Sequence, residues 1–348
     1  MSKILIIGAG AMGTAFAVPC SDNGHEVHIL GTHLEDELIE KIKQTYTHPS
    51  LKTKLPSKIN FNFHKDLNTI VNSKVDLIVL GISSKGINWI CEQLINVFKN
   101  KELPDLLILT KGLSLHNNQY ELLINKIKRL LEVKKIKIKN ISAIAGPCLA
   151  TGLANKINSS VVVASSKLDQ AQKISNILNN SYYHTTCSDD IVGVEICAAI
   201  KNIFSMAVGA AKGLSAQDVP DQIKDKNYFN TASALITQSI YEMEIFVDHL
   251  KGKKETVKGL SGLGDLYVSS AGGRNALMGS FLGEGLIFSE AKKSKMREIT
   301  VEGAELIKEI GKKVKEEFDE KKLPLMIAMI NAILEDKKLD IKWNYFTY

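Results

Sequence analysis

Arginine is scarce in this chain of 348 residues, which has only Arg129, Arg274 and Arg297 among its 44 lysine and arginine residues. The guanidinium group binds a phosphate or a carboxylate through two parallel hydrogen bonds, which a lysine cannot do. Each of the rare arginines is therefore a candidate for a position that needs the geometry of the guanidinium group. The formal net charge of +6 gives no support for nucleic-acid binding, which needs a clustered basic patch.

Cysteine is also scarce, and the five that are present form no CxxC pair and no Cys/His spacing typical of a metal site. Their odd number and wide separation exclude a disulfide framework, so we expect reduced thiols and a cytoplasmic location. No uninterrupted apolar stretch approaches about 18 residues, so we expect no transmembrane helix. The apolar run from Ile4 is broken by glycines and followed by Pro19, which argues against a secretion signal.

Short apolar runs alternate with amphipathic stretches from residue 3 to about residue 187. The runs predict strands at 4–7, 27–30, 77–80, 106–109, 141–145, 160–164 and 182–186. The stretches between them predict helices such as 85–99, 117–132 and 167–179. Most runs are apolar throughout, which is typical of parallel strands covered on both faces. This alternation predicts a doubly wound α/β sheet.

The pattern changes after Asp189 and Asp190, where strand-like runs stop. Helical patterns follow at 190–213, 227–250, 275–293, 300–319 and 324–336. We therefore predict two domains, an α/β domain over 1–189 and an all-α domain over 190–348. The last six residues, 343–348, include four aromatic residues, which suits either a dimer interface or a tail packed on its own helical domain.

The segment Gly8-Ala9-Gly10-Ala11-Met12-Gly13 follows the first predicted strand and opens a helical pattern over 14–23. In such a GxGxxG turn the first glycine permits the tight bend, the second admits a pyrophosphate and the third lets helix and strand pack closely. The helix N-terminus then offers amide groups and partial positive charge to the phosphates. The motif predicts a Rossmann-like domain with an NAD or NADP site.

The end of the second strand does not choose between NAD and NADP. It reads Leu30-Gly31-Thr32-His33, with neither the acid that holds a ribose 2′-hydroxyl nor an arginine. Thr32 or His33 is placed either to contact a 2′-phosphate or to cap the following helix, and Glu35 and Asp36 come slightly late.

Several polar residues follow strands or interrupt apolar helix faces. Lys111 and the segment Gly146-Pro147-Cys148 come directly after predicted strands, at the edge where such folds bind ligands. Lys201 lies in the middle of a face of small apolar residues, so it either faces a cleft or extends its ammonium to the surface. Arg274 lies between a glycine pair and Asn275, which predicts binding of a phosphate or carboxylate.

Eight segments carry a family resemblance, and they occur in order along nearly the whole chain. They are GAGAMGTAFA (8–17), TKGL (110–113), GPCLA (146–150), GVEICAAIKN (193–202), NTASALI (230–236), GLSGLGDL (259–266), GGRN (272–275) and VEG (301–303). Together they resemble NAD(P)-dependent glycerol-3-phosphate dehydrogenase. The resemblance implies an oxidoreductase that interconverts sn-glycerol 3-phosphate and dihydroxyacetone phosphate and supplies glycerol 3-phosphate for phospholipid synthesis.

The resemblance also implies roles for individual residues. Lys201 resembles the catalytic proton acceptor. The implied substrate ligands are Lys111, Gly146, Cys148, Asp265, Ser269, Arg274 and Asn275. The implied cofactor contacts are Gly8, Gly10, Ala11, Met12, Gly13, Thr32, Lys111, Ala150, Arg274 and Glu302. No metal is implied, and the family favours a homodimer.

The chain departs from the family at three places. Cys148 and Leu149 replace the Ser and Phe that bacterial members usually carry, which removes a hydroxyl contact. The GGRN loop resembles the eukaryotic branch, and the second strand lacks the basic residue of many NADP-using members. Two alternatives stay open: a related β-hydroxyacid or ketopantoate-type dehydrogenase, and a non-catalytic NAD(P)-binding sensor.

Overall fold

The computed structural model describes residues 1–99, 101–216 and 224–347, and it divides into two compact units. Unit 1 contains Met1–Lys111 and Leu122–Ile191, and unit 2 contains Gly112–Glu121 and Val192–Tyr348. The segment Gly112–Glu121 therefore belongs to the same unit as the residues after 191. A single boundary between residues 189 and 190 does not describe this division.

Unit 1 is built from strands and helices that alternate along the chain. Its strands are β1 (Lys3–Ile7), β2 (Glu26–Leu30), β3 (Asn60–Asn62), β4 (Leu77–Leu80), β5 (Asp105–Ile108), β8 (Ile141–Ala145), β9 (Ser159–Ser165) and β10 (Tyr183–Ser188). Its helices are α1 (Ala11–Asp22), α2 (Asp36–Thr45), α3 (Leu67–Asn72), α4 (Ile87–Val97), α5 (Leu123–Glu132), α6 (Ala150–Ala154) and α7 (Leu168–Leu178).

These strands form one eight-stranded sheet in the order β10-β9-β8-β5-β4-β1-β2-β3. Neighbouring strands are parallel except β8 and β9, which are antiparallel. The strand order reverses direction between β1 and β4, and ligands bind outside the carboxyl ends of strands at such a point. The predicted doubly wound sheet is confirmed. The antiparallel pairing of β9 with β8 was not predicted.

Unit 2 is mainly helical. It contains a hairpin of β6 (Leu113–His116) and β7 (Gln119–Leu122, whose last residue groups with unit 1). Its helices are α8 (Ile191–Ala216, whose first residue groups with unit 1), α9 (Lys224–His249), α10 (Asp265–Ala271), α11 (Arg274–Gly283), α12 (Phe288–Ser294), α13 (Glu302–Glu317) and α14 (Pro324–Leu334). The described residues after 191 contain no strand, which confirms the predicted all-α second half.

The helix α8 is a long apolar helix at the start of unit 2. By length and composition it is able to cross a membrane, but 94% of its most apolar window is buried inside the protein. This burial is typical of a core helix, because apolar side chains here contact other helices. Helix α11 packs closely against α8 through glycines: a Cβ atom added to Gly279 would lie 1.8 Å from Met206 O, and one on Gly209 would lie 2.3 Å from Ala276 O.

Two predicted helices are wrong in part. The helix predicted over 117–132 covers only Leu123–Glu132, because Asn117 and Asn118 adopt positive φ values of 49° and 57° and turn the chain between β6 and β7. Left-handed residues in a two-residue loop are typical of a hairpin. The helix predicted over 275–293 is divided into α11 and α12, since Gly285 has a φ of 95°.

The C-terminal tail contacts unit 2. Thr347 N–H donates to Gln238 Oε1 on α9 (3.3 Å), and the ammonium group of Lys321 lies 5.9 Å from the centre of the Tyr345 ring. The described part of the tail therefore packs on its own helical unit, and Tyr348 lies outside the described residues.

Candidate active site

The nucleotide loop in unit 1 depends on close backbone contacts between glycines. Gly8 follows β1 with a φ of 112°, and a Cβ on it would lie 2.7 Å from Gly81 O, at the end of β4. A Cβ on Gly13 would lie 2.2 Å from Gly8 O. The GxGxxG motif includes Gly8 and Gly13 but not Gly81. The sequence signal for Gly81 is its position directly after a buried strand.

The remaining loop residues leave room for a ligand. Among the described residues, a Cβ on Gly10 would have only Glu35 Oε1 within 4 Å, at 3.8 Å, so these residues leave the space above this glycine open. Gly10 caps α1, which starts at Ala11 and Met12 and has no acidic residue in its first turn. An open cradle at a helix N-terminus whose first turn has no carboxylate fits the phosphates of a dinucleotide.

Glu35 closes the side of this loop next to β2. Its Oε2 accepts hydrogen bonds from Thr32 N–H (2.8 Å) and Ala9 N–H (3.1 Å). Thr32, a predicted cofactor contact, thus lies beside the loop with its amide bonded to Glu35. In the sequence Glu35 is only an acid that comes slightly late after the second strand, because no local signal shows the turn that brings it back to Ala9. The neighbouring His33 ring lies 4.9 Å from the Trp89 ring, centre to centre.

Other predicted ligands in unit 1 follow β5 and β8. Lys111 is half-buried after β5, and Thr110 Oγ1 joins the ends of β4 and β5 by donating to Ile82 O (2.8 Å). Gly146 has a φ of 144°, and a Cβ on it would lie 2.9 Å from the Cα of Val161. The glycine is therefore required by its contact with β9, whatever its role toward a ligand.

Cys148 and Ala150 lie at the start of the segment after β8. Both are partly buried and pack against the hydrophobic core of unit 1, whereas Leu149 between them is 60% exposed. The thiol that replaces the usual serine hydroxyl thus has apolar neighbours. Ala150 begins α6, which packs against α1, the helix of the nucleotide loop.

In unit 2, Lys201 is buried and paired. Its Nζ donates to Asp265 Oδ1 (2.8 Å) and to Ser269 Oγ (2.5 Å), and Lys201 is 5% exposed. The structure therefore brings Lys201 together with two residues that lie 64 and 68 positions further along the chain. A lysine held in a buried ion pair has a fixed direction, so the interpretation in which its ammonium extends to the surface is wrong.

The position of Asp265 depends on a local change of helix type. Leu260–Gly264 forms a single π turn in which Gly264 N–H donates to Gly259 O (3.1 Å), and α10 begins at Asp265. A Cβ on Gly262 would lie 2.0 Å from Val257 O. The glycines of this motif thus permit a tight turn that directs Asp265 toward α8, and π turns are frequent at functional sites.

Asn275 joins three helices of unit 2. Its Nδ2 donates to Asn202 Oδ1 (3.1 Å) on α8, and its Oδ1 accepts from Gly303 N–H (2.9 Å) at the start of α13. Asn202 was not among the predicted site residues, although it directly follows Lys201. One N–H of the Asn275 amide and its oxygen are therefore used inside the protein.

Arg274, at the first position of α11, forms an ion pair with Glu302, at the first position of α13. Arg274 Nη2 lies 2.8 Å from Glu302 Oε1, and the two side chains are 56% and 49% exposed. The guanidinium is accessible while one of its edges is held, which suits recognition of an anion through the remaining N–H groups. Among the described residues, no cluster of His, Cys, Asp and Glu is able to hold a metal ion.

Fold and site together define a dinucleotide-dependent dehydrogenase with a Rossmann-like unit and a helical unit. Residues 3–171 match the family described as NAD-dependent glycerol-3-phosphate dehydrogenase N-terminus, and residues 190–342 match the corresponding C-terminus family. The NADP(+)-dependent glycerol-3-phosphate dehydrogenase of Archaeoglobus fulgidus is 31% identical over 288 residues, which are 83% of this chain and 82% of that protein.

Two further comparisons cover almost the whole chain. A glycerol-3-phosphate dehydrogenase of Fusobacterium nucleatum is 30% identical over 345 residues, which are 97% of this chain and 94% of that protein. The crystal structure of the Coxiella burnetii glycerol-3-phosphate dehydrogenase has the same fold, with a TM-score of 0.78 at 24% identity over 97% of this chain and 96% of that one.

The chain belongs to the NAD-dependent glycerol-3-phosphate dehydrogenase family, and it is an oxidoreductase that uses NAD or NADP. This confirms the predicted family, enzyme class and cofactor class. It also favours this family over the β-hydroxyacid and ketopantoate alternatives, which share the two-part architecture.

Proposed function

We propose that the chain interconverts dihydroxyacetone phosphate and sn-glycerol 3-phosphate, with Lys201 as the proton donor in reduction and the proton acceptor in oxidation. The observation that carries this proposal is the buried contact of Lys201 with Asp265 and Ser269 on unit 2. When bound, the nicotinamide cofactor supplies or takes up the hydride. The residues of this chain then have to bind the substrate and move one proton at its C2 oxygen.

Lys201 is suited to that proton transfer. In the reducing direction its ammonium donates a hydrogen bond to the carbonyl oxygen, polarises it and then protonates the oxygen. Asp265 fixes the direction of the ammonium and stabilises its charge, and Ser269 Oγ provides a second acceptor 2.5 Å from Nζ. In the oxidising direction the neutral amine accepts the hydroxyl proton.

Arg274 is the proposed ligand of the substrate phosphate. Its guanidinium is accessible, and Glu302 orients it through one N–H edge. Asn275 supports the same phosphate with its remaining N–H while its other contacts join α8, α11 and α13. Because the phosphate is remote from C2, these contacts set the position of the substrate more than they change charge at the reacting carbon.

Unit 1 supplies the proposed cofactor contacts. The residues of the GxGxxG loop (Gly8, Gly10, Ala11, Met12 and Gly13) would bind the phosphates, and Thr32 would contribute to binding the rest of the cofactor. By motif position Lys111, Gly146 and Cys148 contribute to substrate binding, and Lys111, Ala150, Arg274 and Glu302 to cofactor binding. We further propose that the enzyme is a cytoplasmic homodimer that feeds phospholipid synthesis.

The decisive experiment is an assay of NADH and NADPH oxidation with dihydroxyacetone phosphate. Unphosphorylated dihydroxyacetone is the matched control, because it presents the same carbonyl without the anion. We expect oxidation with the phosphorylated substrate and a much lower kcat/KM with the control. Equal rates with both substrates contradict the phosphate assignment, and tight NADH binding without turnover favours the sensor alternative. Light scattering of the purified protein tests the dimer.

A further inference from the structure

Ala9, between the first two glycines of the nucleotide loop, has both of its backbone polar groups held by side chains. Ala9 N–H donates to Glu35 Oε2 (3.1 Å). Ala9 O accepts from Thr14 Oγ1 (2.9 Å) and lies 3.1 Å from His48 Nε2. A loop residue whose N–H and C=O are both committed has little freedom to rotate its peptide planes.

His48 is a buried residue that the proposed reaction does not use. It is 3% exposed, and its Nδ1 accepts a hydrogen bond from Ser50 N–H (3.1 Å). Since Nδ1 is the acceptor, Nε2 carries the proton and donates it to Ala9 O. Burial lowers the pKa of His48, so the neutral ring is the form that makes both hydrogen bonds. The nearby charge is the Glu35 carboxylate, which acts on this pKa in the opposite direction.

Glu35 adds a second connection to the same residue. Its Oε2 accepts from both Ala9 N–H and Thr32 N–H (2.8 Å), so one carboxylate oxygen joins the GxGxxG loop to the end of β2. In a dinucleotide-binding unit these two segments lie beside the pyrophosphate and the adenosine ribose. The relative position of both segments therefore depends on Glu35.

We propose that His48 and Glu35 are positioning residues of the cofactor site, which hold Ala9 so that the following amides of α1 are directed at the dinucleotide phosphates. Neither residue contacts the reacting atoms. Because the Ala9 N–H is used by Glu35, the amides that would bind the phosphates are those of Gly10, Ala11 and Met12. This inference rests on the proposed function only in that the loop binds NAD or NADP.

His48→Phe tests the proposal, because it keeps a ring of similar size and removes both nitrogen contacts. We expect it to raise the Kd for NADH roughly tenfold in a fluorescence titration. KM for dihydroxyacetone phosphate at saturating NADH should stay within about twofold of wild type. His48→Gln retains an N–H donor and should recover most of the affinity.

His25→Phe is the matched control. His25 makes the same type of bridge in unit 1, with Nδ1 accepting from Ser2 N–H (3.1 Å) and Nε2 lying 3.0 Å from Ile177 O. It should lower Tm without changing the Kd for NADH. An unchanged Kd in His48→Phe, or an equal rise in His25→Phe, overturns the proposal.

Should His48→Phe not fold, Glu35→Ala carries the test, with the exposed Glu37→Ala on α2 as its control. We expect a roughly tenfold rise in the Kd for NADH in the first variant only. A fall or no change in Glu35→Ala overturns the proposal. Failure of the wild-type protein to bind NADH would instead count against the proposed function.

Discussion

Lys201 Nζ lies 2.8 Å from Asp265 Oδ1, and the two side chains are only 7% and 4% exposed. A buried ion pair is costly to desolvate, so it is a weak source of stability but a strong constraint on geometry. The helix α8 supplies the lysine, and the first position of α10, directly after the π turn, supplies the aspartate. The ammonium is thus held in one direction before any substrate arrives.

Lys201→Ala should lower kcat by roughly 100-fold or more, because the proton donor is lost. The same change leaves Asp265 charged and buried without its lysine, and we expect a loss of about 3–5 kcal/mol in the free energy of unfolding. Steady-state kinetics and denaturant unfolding measure the two effects separately.

The double variant Lys201→Met/Asp265→Asn separates catalysis from folding. It removes both charges, so most of the stability should return while kcat stays low. Near-normal turnover in either variant would remove Lys201 from the proposed role.

Arg274→Lys should raise KM for dihydroxyacetone phosphate roughly tenfold, or about 1.4 kcal/mol, because lysine cannot reproduce the two-pronged contact. The change in kcat should be smaller, since the phosphate is remote from the reacting carbon. Arg297→Lys, at an exposed position, is the matched control. If KM is the same in both variants, the phosphate binds elsewhere.

Glu242 should make stability depend on pH. This carboxyl on α9 is fully buried and accepts hydrogen bonds from Leu325 N–H and Met326 N–H (both 2.7 Å) at the start of α14. Burial raises its pKa from 4.5 to about 7. Between these two pH values the Glu242 carboxyl is ionised in the unfolded chain and protonated in the folded protein. The free energy of unfolding therefore falls as pH rises through this window.

Glu242→Gln isolates this contribution, because glutamine resembles the protonated acid and does not titrate. The unfolding free energy of wild type relative to the variant should fall by an amount on the order of 3 kcal/mol between pH 4.5 and pH 7. A constant difference across that range would mean that Glu242 does not change its protonation.

Gly279→Ala should destabilise the protein by at least about 2 kcal/mol, since its Cβ would lie 1.8 Å from Met206 O and would push α11 away from α8. We expect a fall in kcat/KM as well, because α8 carries Lys201 and α11 carries Arg274. Gly152→Ala is the control: the residue lies within α6, and its Cβ would meet no atom of the described residues nearer than 3.9 Å. This change should be neutral or slightly stabilising. Thermal unfolding of both variants checks the contrast.

The sequence predicted the elements whose signal is local. The strand β1, the GxGxxG turn and the start of α1 follow from an apolar run and three glycines, and the structure has all of them. The hairpin of β6 and β7 was missed, although Asn117-Asn118 between two short alternating runs is a typical hairpin turn. The residues that follow have helical spacing, and the predicted helix therefore began at residue 117 instead of Leu123.

The parts that could not be predicted depend on contacts between distant segments. Nothing near Glu35 or His48 in the sequence shows that both reach Ala9. The same holds for Asn202, which bonds to Asn275 more than seventy residues later. Motif comparison finds residues that contact ligands, whereas the residues that hold those motifs in place follow only from the fold.

The hairpin of β6 and β7 also bears on how the protein can be made. Leu115 N–H donates to Glu309 Oε1 (3.2 Å) on α13, and the rings of Tyr120 and Phe246 lie 5.5 Å apart. During synthesis the hairpin leaves the ribosome well before either partner exists. A fragment that ends at residue 189 would contain the hairpin without its partners on α9 and α13, and a fragment that starts at residue 190 would lack the hairpin. We therefore expect neither fragment to fold independently when it is expressed alone.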